Sequence, residues 1–529
     1  MRVFILGIDG ATFRVILPLV ERNILPTFKK IMKSGCWGVL KSTIPPLSGP
    51  AWVSFSTGSS PKVHGIFDFI VKKPGSYEYT YINSSYVKIP FFWEVLGDYD
   101  KRVGVIYVMV TYPPRPVNGF LITGGLTPSL NNFTYPPELG KKLLAKFNNF
   151  PFFPPGGLTP KKGEDEGYIR TMLDSLDRRT KITEYLAKKE KWDLFISVFD
   201  ETDSLQHAYL GLIESSNYAK QAIVHVYKKI DDFMKKIIDE ILGEEDILIV
   251  MSDHGHSVLN KYFLVNNFLL KIGVLQFKNS LLTKIKRSLY NSGMSPYKLY
   301  SFVRSLGFKK VQSTFRGGPN EQILTKITLS YKDIDWEKTK AFSFGVGGGI
   351  YINVNGKEKM GCVNPEEYEI VREQIIKVLY SVRDSKEHKS IIKAIYKKEE
   401  IYGENINAPD LIFLTNEGYA TLHLSQFVSS SLFEKAQSTG THSPDGILLV
   451  YGRDIRKGFK ITHSKIQDIA PTILHIFNVP IPHYMDGKVL KELFQQKSDI
   501  YKRPIYRKKL LKGLELTKKI QELRSKLNM

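Results

Sequence analysis

Short apolar runs recur along the chain, and each ends in polar or acidic residues. Amphipathic stretches with helical spacing separate them, such as "PTFKKIMKSG" and "YAKQAIVHVYKKIDDFMKKIIDEIL". Continuous apolar strands that alternate with amphipathic helices are typical of a mostly parallel sheet with helices on both faces. The pattern therefore predicts an α/β fold whose strands include "VFILGIDG", "RVGVIYVMV", "WDLFISVFDETD", "DILIVMSDHG" and "GILLVYG".

Acidic residues and a histidine stand where three of these strands end. Asp9 follows the first strand, residues 200–203 follow another, and Asp253 with His254 follows a third. In open parallel sheets, ligands bind outside the carboxyl ends of the strands. These residues are therefore the first candidates for a functional site.

The pattern changes over residues 257–340, which are basic and amphipathic and lack a comparable strand end. We expect an inserted cap, or a surface-binding element, between a first part of the core at 1–256 and its remainder at 341–495. Residues 496–529 predict a basic C-terminal helix. The glycine run 347–349 lacks the lysine and the helix of a phosphate-binding loop, which favours a strand bulge or turn.

Composition narrows the class of protein. The 529 residues are 42% hydrophobic and 24% charged, which suits a globular protein with a sizeable core. Two distant cysteines, Cys36 and Cys362, exclude a disulfide framework and a cysteine-rich metal site. The N-terminus resembles a buried strand rather than a signal peptide, and no apolar run reaches the ~20 residues of a membrane span. These features predict a cytoplasmic protein.

The net charge of +22 favours contact with polyanions or anionic lipid. Basic residues are concentrated near 284–310 and near the C-terminus, without the spacing of a nucleic-acid module. A solvated basic surface is the simpler interpretation, and peripheral contact with an anionic membrane is the alternative. The sequence leaves the oligomeric state open.

The stretch "IPPLSGPAWVSFSTG" frames Ser48 with prolines and glycines. Pro50 suits the first turn of a helix and Gly58 suits its end, so Ser48 is expected at or just before a helix N-terminus. One interpretation is an N-cap serine. The other is a nucleophile, because free N–H groups and the helix dipole favour an anion or an alkoxide there.

Asp203 and His207 are four residues apart, a spacing that places both on one side of a helical turn. His442 lies in the polar loop "STGTHSPDG" before an apolar strand. Carboxylates and imidazoles suit zinc, with manganese as a competitor. Divided by type, the candidates form two metal sites: Asp203, His207 and His442 in one, and Asp9, Asp253, His254 and the Ser48 oxygen in the other.

Two metal ions about 4 Å apart can hold the attacking and leaving oxygens of a displacement at phosphorus. The motifs "GIDGA", "PPLSGPAWVSFSTGSSPKVHGIFDF", "DETDSLQH", "SDHGH", "GTHSPDG" and "DIAPTILHIFNVPIPHYMDGKVL" carry a resemblance over most of the chain. The chain resembles the alkaline phosphatase superfamily, in particular the type I phosphodiesterase/nucleotide pyrophosphatase group and the phosphohydrolase/phosphomutase proteins of archaea and bacteria. The resemblance implies an alkaline-phosphatase-like core, two divalent metal ions at the residues above and a phosphoseryl intermediate at Ser48.

The chain departs from the pyrophosphatases at "HGIFDF". Phe69 stands where that group has an asparagine that donates to a phosphoryl oxygen, which weakens the diesterase interpretation. Beside it, Asp68 is expected to hold an extra cation or to cap a turn, and with Gly49 it is a candidate for substrate binding. His64 is expected to be structural, and His256 is expected to support the metal ligands from behind.

The sequence therefore predicts a metal-dependent hydrolase of a phosphate mono- or diester, with a phosphorylated small molecule, lipid or sugar phosphate as substrate. A phosphomutase of the same superfamily is the alternative within enzymes, and the insertion would then exclude water. A sulfatase is disfavoured because Trp52 occupies the position of that family's arginine. A non-catalytic protein on the same fold that binds membranes or polyanions is the alternative of another class.

Overall fold

The structure, a computed structural model, describes residues 1–73, 75–147, 150, 159–160, 163–292, 329–384, 388–404, 407–422, 427 and 429–509. The chain forms two compact units. The core unit comprises residues 1–69, 81–259 and 437–529, and the second unit comprises 70–80 and 260–436.

The strands are β1 Val3–Ile8, β2 Cys36–Lys41, β3 Ile70–Lys72, β4 Tyr79–Tyr81, β5 Val103–Val108, β6 Gly119–Thr123, β7 Thr134–Tyr135, β8 Leu194–Phe199, β9 Ile247–Met251, β10 Gly255–Phe263, β11 Ala341–Ser343, β12 Ile350–Ile352, β13 Ile392–Lys397, β14 Leu411–Thr415, β15 Gly418–Thr421, β16 Phe433–Lys435, β17 Gly440–Ser443, β18 Asp445–Tyr451, β19 Phe459–Lys465, β20 Ile481–Pro482 and β21 Arg507–Lys508.

The α-helices are α1 Phe13–Glu21, α2 Pro26–Ser34, α3 Ser48–Thr57, α4 Pro61–His64, α5 Phe92–Gly97, α6 Pro137–Lys146, α7 Asp165–Lys189, α8 Glu201–Tyr209, α9 Asn217–Lys236, α10 Val265–Lys271, α11 Leu281–Asn291, α12 Tyr368–Ser381, α13 Lys398–Ile401, α14 Ile469–Ile476 and α15 Asp499–Lys502.

A nine-stranded sheet forms the centre of the core unit, in the order β19-β2-β18-β9-β1-β8-β5-β6-β7. β1 pairs in parallel with both β8 and β9, and every residue of these three strands is buried. Burial on both faces explains why these strands are continuous apolar runs without alternation. The predicted α/β class with a mostly parallel sheet is confirmed.

Each of the five apolar runs named above contains a strand of this sheet. "GILLVYG" differs from the others in direction, because β18 runs antiparallel to both β2 and β9. The direction of a strand depends on the path of the connection before it, which apolar periodicity does not report.

The second unit has its own sheet, in the order β11-β12-β14-β13, and its own apolar core. β11 and β12 are antiparallel neighbours, so the glycine run 347–349 lies in the connection of a hairpin. Residues 293–328 of the predicted insertion and 510–529 of the predicted C-terminal helix lie outside the described residues, and the predicted boundaries at 257–340 and 496–529 stay predictions. Among the described helices, none is both long enough and apolar enough to cross a membrane.

Candidate functional site

All the side chains predicted for the site belong to the core unit. Asp9 directly follows β1, α8 with Asp203 follows β8, and Asp253 follows β9 by one residue. Since these strands are parallel neighbours, their carboxyl ends meet at one edge of the sheet. His442 reaches the same place on β17, where it pairs directly with His256 of β10.

The first group of side chains surrounds Asp203. Its Oδ1 lies 3.5 Å from His207 Nε2, 3.4 Å from His442 Nε2 and 3.5 Å from His256 Nε2. The Nε2 atoms of His207 and His442 are 3.0 Å apart. Two ligands each ~2.1 Å from one tetrahedral zinc ion would lie ~3.4 Å apart, so these spacings suit a cation between the four side chains.

His256 belongs to this group by geometry, although the sequence suggested a supporting position behind it. Its Nε2 is buried and has no hydrogen-bond partner among the described residues. A signal for this was present, because His256 lies only two residues from the candidate ligand His254. Whether His256 binds a cation or orients Asp203 stays a prediction.

The second group contains Asp9, His254 and, again, Asp203. His254 Nε2 lies 3.5 Å from Asp9 Oδ1 and 3.3 Å from Asp253 Oδ2, and it is 3.0 Å from the Ser48 hydroxyl oxygen. The structure thus brings together all seven predicted metal-site residues and gives Asp203 a place in both groups. Their roles as ligands and nucleophile remain predictions.

The four histidines share one arrangement. Each Nδ1 lies within 3.2 Å of a backbone carbonyl oxygen. The pairs are His207 with Gly440, His442 with Pro46, His254 with Gly255 and His256 with Gly10. A carbonyl oxygen only accepts, so Nδ1 carries the hydrogen and Nε2 keeps its lone pair in the neutral ring. All four rings therefore present a bare nitrogen to the two groups, as metal-binding histidines do.

The carboxylates of Asp9 and Asp253 are arranged in the same way, with one oxygen in a hydrogen bond and the other without a partner among the described residues. Trp52 donates to Asp9 Oδ2 at 2.9 Å, and the Gly10 amide donates to Asp253 Oδ1 at 3.2 Å. The other oxygens, Asp9 Oδ1 and Asp253 Oδ2, are buried without a hydrogen-bond partner among the described residues, and so is Asp203 Oδ1. Buried unpartnered anionic oxygens are costly, and divalent cations would satisfy them. The residues present therefore fit two metal ions.

Burial and mutual repulsion shape the ionisation of these carboxyls. Burial raises the pKa of Asp9 well above its usual value, and the charges of Asp253 and Asp203 raise it further. The pKa of Asp253 is raised to about 7, by burial first and then by Asp203. Burial alone would raise the pKa of Asp203 too, but His207 and His442 outweigh that effect and hold it well below its usual range.

Burial acts in the opposite direction on the imidazoles. It lowers the pKa of both His254 and His256 well below the usual value, and the nearby charge of His442 lowers them further. Asp9 and Asp253 thus resist losing a proton, and His254 and His256 resist gaining one, as buried groups without a compensating charge do. The pKa of His442 is raised instead, because Asp203 outweighs the effect of burial. Divalent cations would favour ionised carboxyls and neutral imidazoles together, which again fits the predicted metal groups.

Position 10 has no room for a side chain, because the backbone there lies close to His256 and Asp203. Gly10 has a φ of 68°, and a Cβ there would lie 2.6 Å from His256 Nδ1 and 3.1 Å from Asp203 Oδ1. Any side chain at this position would therefore displace one group or strain the backbone.

Ser48 is the first residue of α3, and the predicted helix ends at Gly58 in the left-handed conformation. Leu47 occupies the N-cap position, and the Ser48 hydroxyl instead contacts His254 Nε2. The N-cap interpretation of Ser48 is therefore wrong, because a different residue precedes the first turn. The first intrahelical bond joins the Ala51 amide to the Leu47 carbonyl, so the amides of Ser48 and Gly49 precede it at the helix N-terminus.

The position of Asp203 depends on an arginine that the sequence did not single out. Arg179 on α7 is buried, and its Nη1 and Nε lie 2.5 Å from Asp200 Oδ1 and 3.3 Å from Glu201 Oε1. This pair of contacts fixes the start of α8, two residues before Asp203. An arginine within a long amphipathic helix gives no sequence signal of such a contact, since only the fold shows which acidic residues it meets.

His64 has a structural environment, as the sequence suggested. The Ile66 amide donates to His64 Nδ1 at 3.1 Å, so Nε2 carries the hydrogen and donates to the Ser54 hydroxyl at 2.9 Å. Burial lowers the pKa of His64 to about 3.

His64 should make the protein less stable in acid. The unfolded chain takes up a proton at this residue below its usual pKa of ~6.5, while the folded protein resists until about 3. The contribution of neutral His64 to the free energy of unfolding is therefore fully present above pH ~6.5. It is lost as the pH falls towards 3, by at most ~1.4 kcal/mol per pH unit. We expect His64→Asn to show a shallower fall in urea midpoint between pH 7 and pH 5. The exposed His225→Asn is the control, and an unchanged slope in His64→Asn would contradict the assignment.

Asp68 Oδ1 accepts the amide of its neighbour Phe69 at 2.7 Å, which supports the turn interpretation. The Phe69 ring lies against Gly49, where a Cβ would come within 3.2 Å of it. The ring of Phe69, and not the side chain of an asparagine that could donate a hydrogen bond, therefore lies beside Gly49, the residue after Ser48.

A comparison of two aspartates separates these roles. Because Asp68 uses an oxygen in its own turn, we expect Asp68→Asn to reduce kcat/KM by about tenfold or less. Asp253→Asn removes a charge from the second group, and we expect a loss of about 1000-fold or more. Steady-state kinetics on one synthetic ester measures both; equal losses would place Asp68 among the catalytic groups.

The family model for type I phosphodiesterase/nucleotide pyrophosphatase matches residues 3–445. Murine ectonucleotide pyrophosphatase/phosphodiesterase 5 superposes with a TM-score of 0.52 at 13% identity, covering 94% of this chain and 100% of that one. An inactive form of that murine protein in complex with AMP gives 0.51 at 14%, covering 90% and 95%.

Phosphonoacetate hydrolase from Sinorhizobium meliloti, in complex with phosphonoformate, gives a TM-score of 0.52 at 13% identity, covering 89% of this chain and 94% of that one. At these identities the superpositions show a shared fold, which confirms the predicted alkaline-phosphatase-like architecture. A search of curated proteins found no match.

Proposed function

Because the chain belongs to the type I phosphodiesterase/nucleotide pyrophosphatase family and is a hydrolase of phosphoric ester bonds, we propose that it cleaves its phosphate ester by attack of Ser48, with two divalent cations. Asp203, His207 and His442 would hold one cation, and Asp9, Asp253, His254 and Ser48 the other. The observation that carries this proposal is the Ser48 hydroxyl 3.0 Å from His254 Nε2, at the N-terminus of α3 and beside both groups.

The cations, when bound, would lower the pKa of the Ser48 hydroxyl and offset the negative charge that gathers around phosphorus. Ser48 Oγ gives its proton to solvent and forms a bond to phosphorus while the bond from phosphorus to the leaving oxygen breaks, and that oxygen takes up a proton from water to leave as the alcohol. Water then cleaves the phosphoseryl ester and releases phosphate or a phosphomonoester.

Residues around Ser48 prepare it for this step. In the structure the hydroxyl directs its hydrogen to His254 Nε2, because the His254 Nδ1 hydrogen already binds the Gly255 carbonyl. The same Nε2 would bind the cation of the second group, so this contact places Ser48 Oγ beside that group, and the hydrogen bond would be replaced when the cation is bound. The amides of Ser48 and Gly49 at the start of α3 would favour a phosphoryl oxygen at the same place.

For the identity of the metal we propose Zn²⁺, with Mn²⁺ as the competitor. The groups present imidazole nitrogens and carboxylate oxygens and no thiolate, a ligand set that suits zinc. The substrate is proposed to be a phosphorylated small molecule, and the AMP bound to the inactive murine protein supports this class.

Hydrolysis of matched p-nitrophenyl substrates tests the proposal. We expect zinc- or manganese-loaded protein to release nitrophenol from a phosphate diester or monoester and not from the sulfate ester. The rate should fall on chelation and return when the metal is restored. Silence with both phosphate esters, in protein that holds two ions, would contradict the hydrolytic proposal and favour the phosphomutase alternative.

A further inference from the structure

Helix α11 of the second unit exposes three of its apolar side chains. Leu281, Leu282 and Ile285 are 77%, 58% and 53% exposed. On the opposite side of the helix, Tyr290 is buried in the apolar core of the second unit, and the buried Lys286 lies 3.1 Å from Asp333 Oδ2. A surface helix normally buries its apolar side. The apolar stripe of α11, formed by Leu281, Leu282 and Ile285, is instead exposed to solvent, which marks it as a candidate contact surface.

The charged side chains of α11 itself are all cationic. At 100° per residue, Lys284 and Arg287 lie on one flank of the line formed by Leu281 and Ile285, and both are exposed. From 271 to 292 the sequence contains no acidic residue. The exposed side of α11 therefore combines apolar and cationic groups without an anion.

A second helix of the same unit shows that exposure alone does not define this surface. Ile370 on α12 is 59% exposed, comparable with Leu282 and Ile285. It is surrounded in sequence by Glu366, Glu367, Glu369 and Glu373. The apolar side chains of α11 differ from Ile370 in the sign of the neighbouring charge.

We propose that α11 docks the second unit onto an anionic lipid surface. Leu281, Leu282 and Ile285 enter the boundary between headgroups and acyl chains, and Lys284 and Arg287 pair with lipid phosphates. This combination of an apolar stripe and flanking cations is the pattern of helices that lie in the plane of a bilayer surface. A protein partner would have to present apolar and acidic groups together, whereas an anionic bilayer always does so.

Sedimentation of the full chain with lipid vesicles tests this proposal. We expect binding to phosphatidylcholine vesicles that contain about one third phosphatidylglycerol, and binding at least about tenfold weaker to phosphatidylcholine alone. Raising the salt from about 0.1 M to about 0.5 M should weaken the binding further, because the electrostatic contribution is screened.

Variants assign the binding to α11. Leu281→Asp with Ile285→Asp should lower vesicle affinity by about tenfold or more, and so should Lys284→Glu with Arg287→Glu. Ile370→Asp is the matched control and should bind like the wild type. Unchanged hydrolysis of a soluble phosphate ester by all the variants would show that they are folded, so a failed docking proposal is distinguishable from a failed proposal for the enzyme.

Three results would overturn the proposal. These are no binding of the wild-type chain to anionic vesicles, an equal loss of binding in Ile370→Asp, and vesicle affinity unaffected by the α11 variants. Self-association of the wild type that is lost in Leu281→Asp with Ile285→Asp, without vesicle binding, would identify the surface as a contact with a second copy instead.

Discussion

Replacement of Ser48 by alanine is expected to reduce hydrolysis of every phosphate ester by about 10,000-fold or more, while metal content stays near two ions per chain. The hydroxyl supplies the atom that bonds to phosphorus, and water in its place lacks the fixed position beside His254. The carboxylates and imidazoles proposed to bind the metal ions are untouched. Steady-state kinetics and metal analysis of the dialysed protein measure the two quantities.

Ser56→Ala provides the matched control. Ser56 is also buried on α3, but its hydroxyl donates to the Trp52 carbonyl one turn back, a local bond that other residues do not depend on. We expect the activity of Ser56→Ala to stay within about threefold of the wild type. Rapid acid quenching during turnover, followed by mass spectrometry, should find a phosphate on the peptide with Ser48. Substantial activity in Ser48→Ala, or a phosphate on another residue, would exclude Ser48 as the nucleophile.

Replacement of Asp203 by asparagine is expected to release both metal ions. Asp203 is the residue shared by the two groups, with Oδ1 close to three Nε2 atoms and also within the group of Asp9 and His254. Asparagine keeps the shape and removes the charge that both cations would share. Changing a partner outside the ligand sphere already costs about 10- to 100-fold in metal affinity, so we expect losses of about 100-fold or more for both ions.

His207→Ala is the informative comparison, because His207 belongs to the first group alone. We expect this variant to lose one ion and keep the other, giving a stoichiometry near one where Asp203→Asn gives none. The exposed His225→Ala should retain both. Mass spectrometry of metals in protein dialysed against a weak chelator measures the occupancy. Two tightly held ions in Asp203→Asn would show that the cations bind elsewhere.

The apolar runs were sufficient to locate the central strands. Burial on both faces makes β1, β8 and β9 apolar throughout, and this signal survives without tertiary information. β2 of the same sheet was missed, because its buried residues alternate with partly exposed ones and two of its six positions are tryptophan and glycine. The apolar pattern also could not predict that β18 is antiparallel to its neighbours, since the direction of a strand depends on the path of the chain that leads into it and not on the residues of the strand.

Candidate ligands could be named from the sequence because their positions have local signatures. Asp9 and Asp253 follow strands, Asp203 and His207 are spaced by one helical turn, and Pro50 and Gly58 bound the helix that carries Ser48. Residue type and local period determined these features.

What the sequence determined by itself was thus the α/β class, the strand ends and the inventory of nucleophile, carboxylates and imidazoles. Only the tertiary structure decided that His442 meets His207 across 235 positions, that Asp203 has a place in both groups and that His256 joins the first. It also decided that α11 exposes Leu281, Leu282 and Ile285. The physical reason is that local patterns follow from the periods of helix and strand. Distances between remote side chains depend instead on strand pairing, such as the register that sets His256 opposite His442.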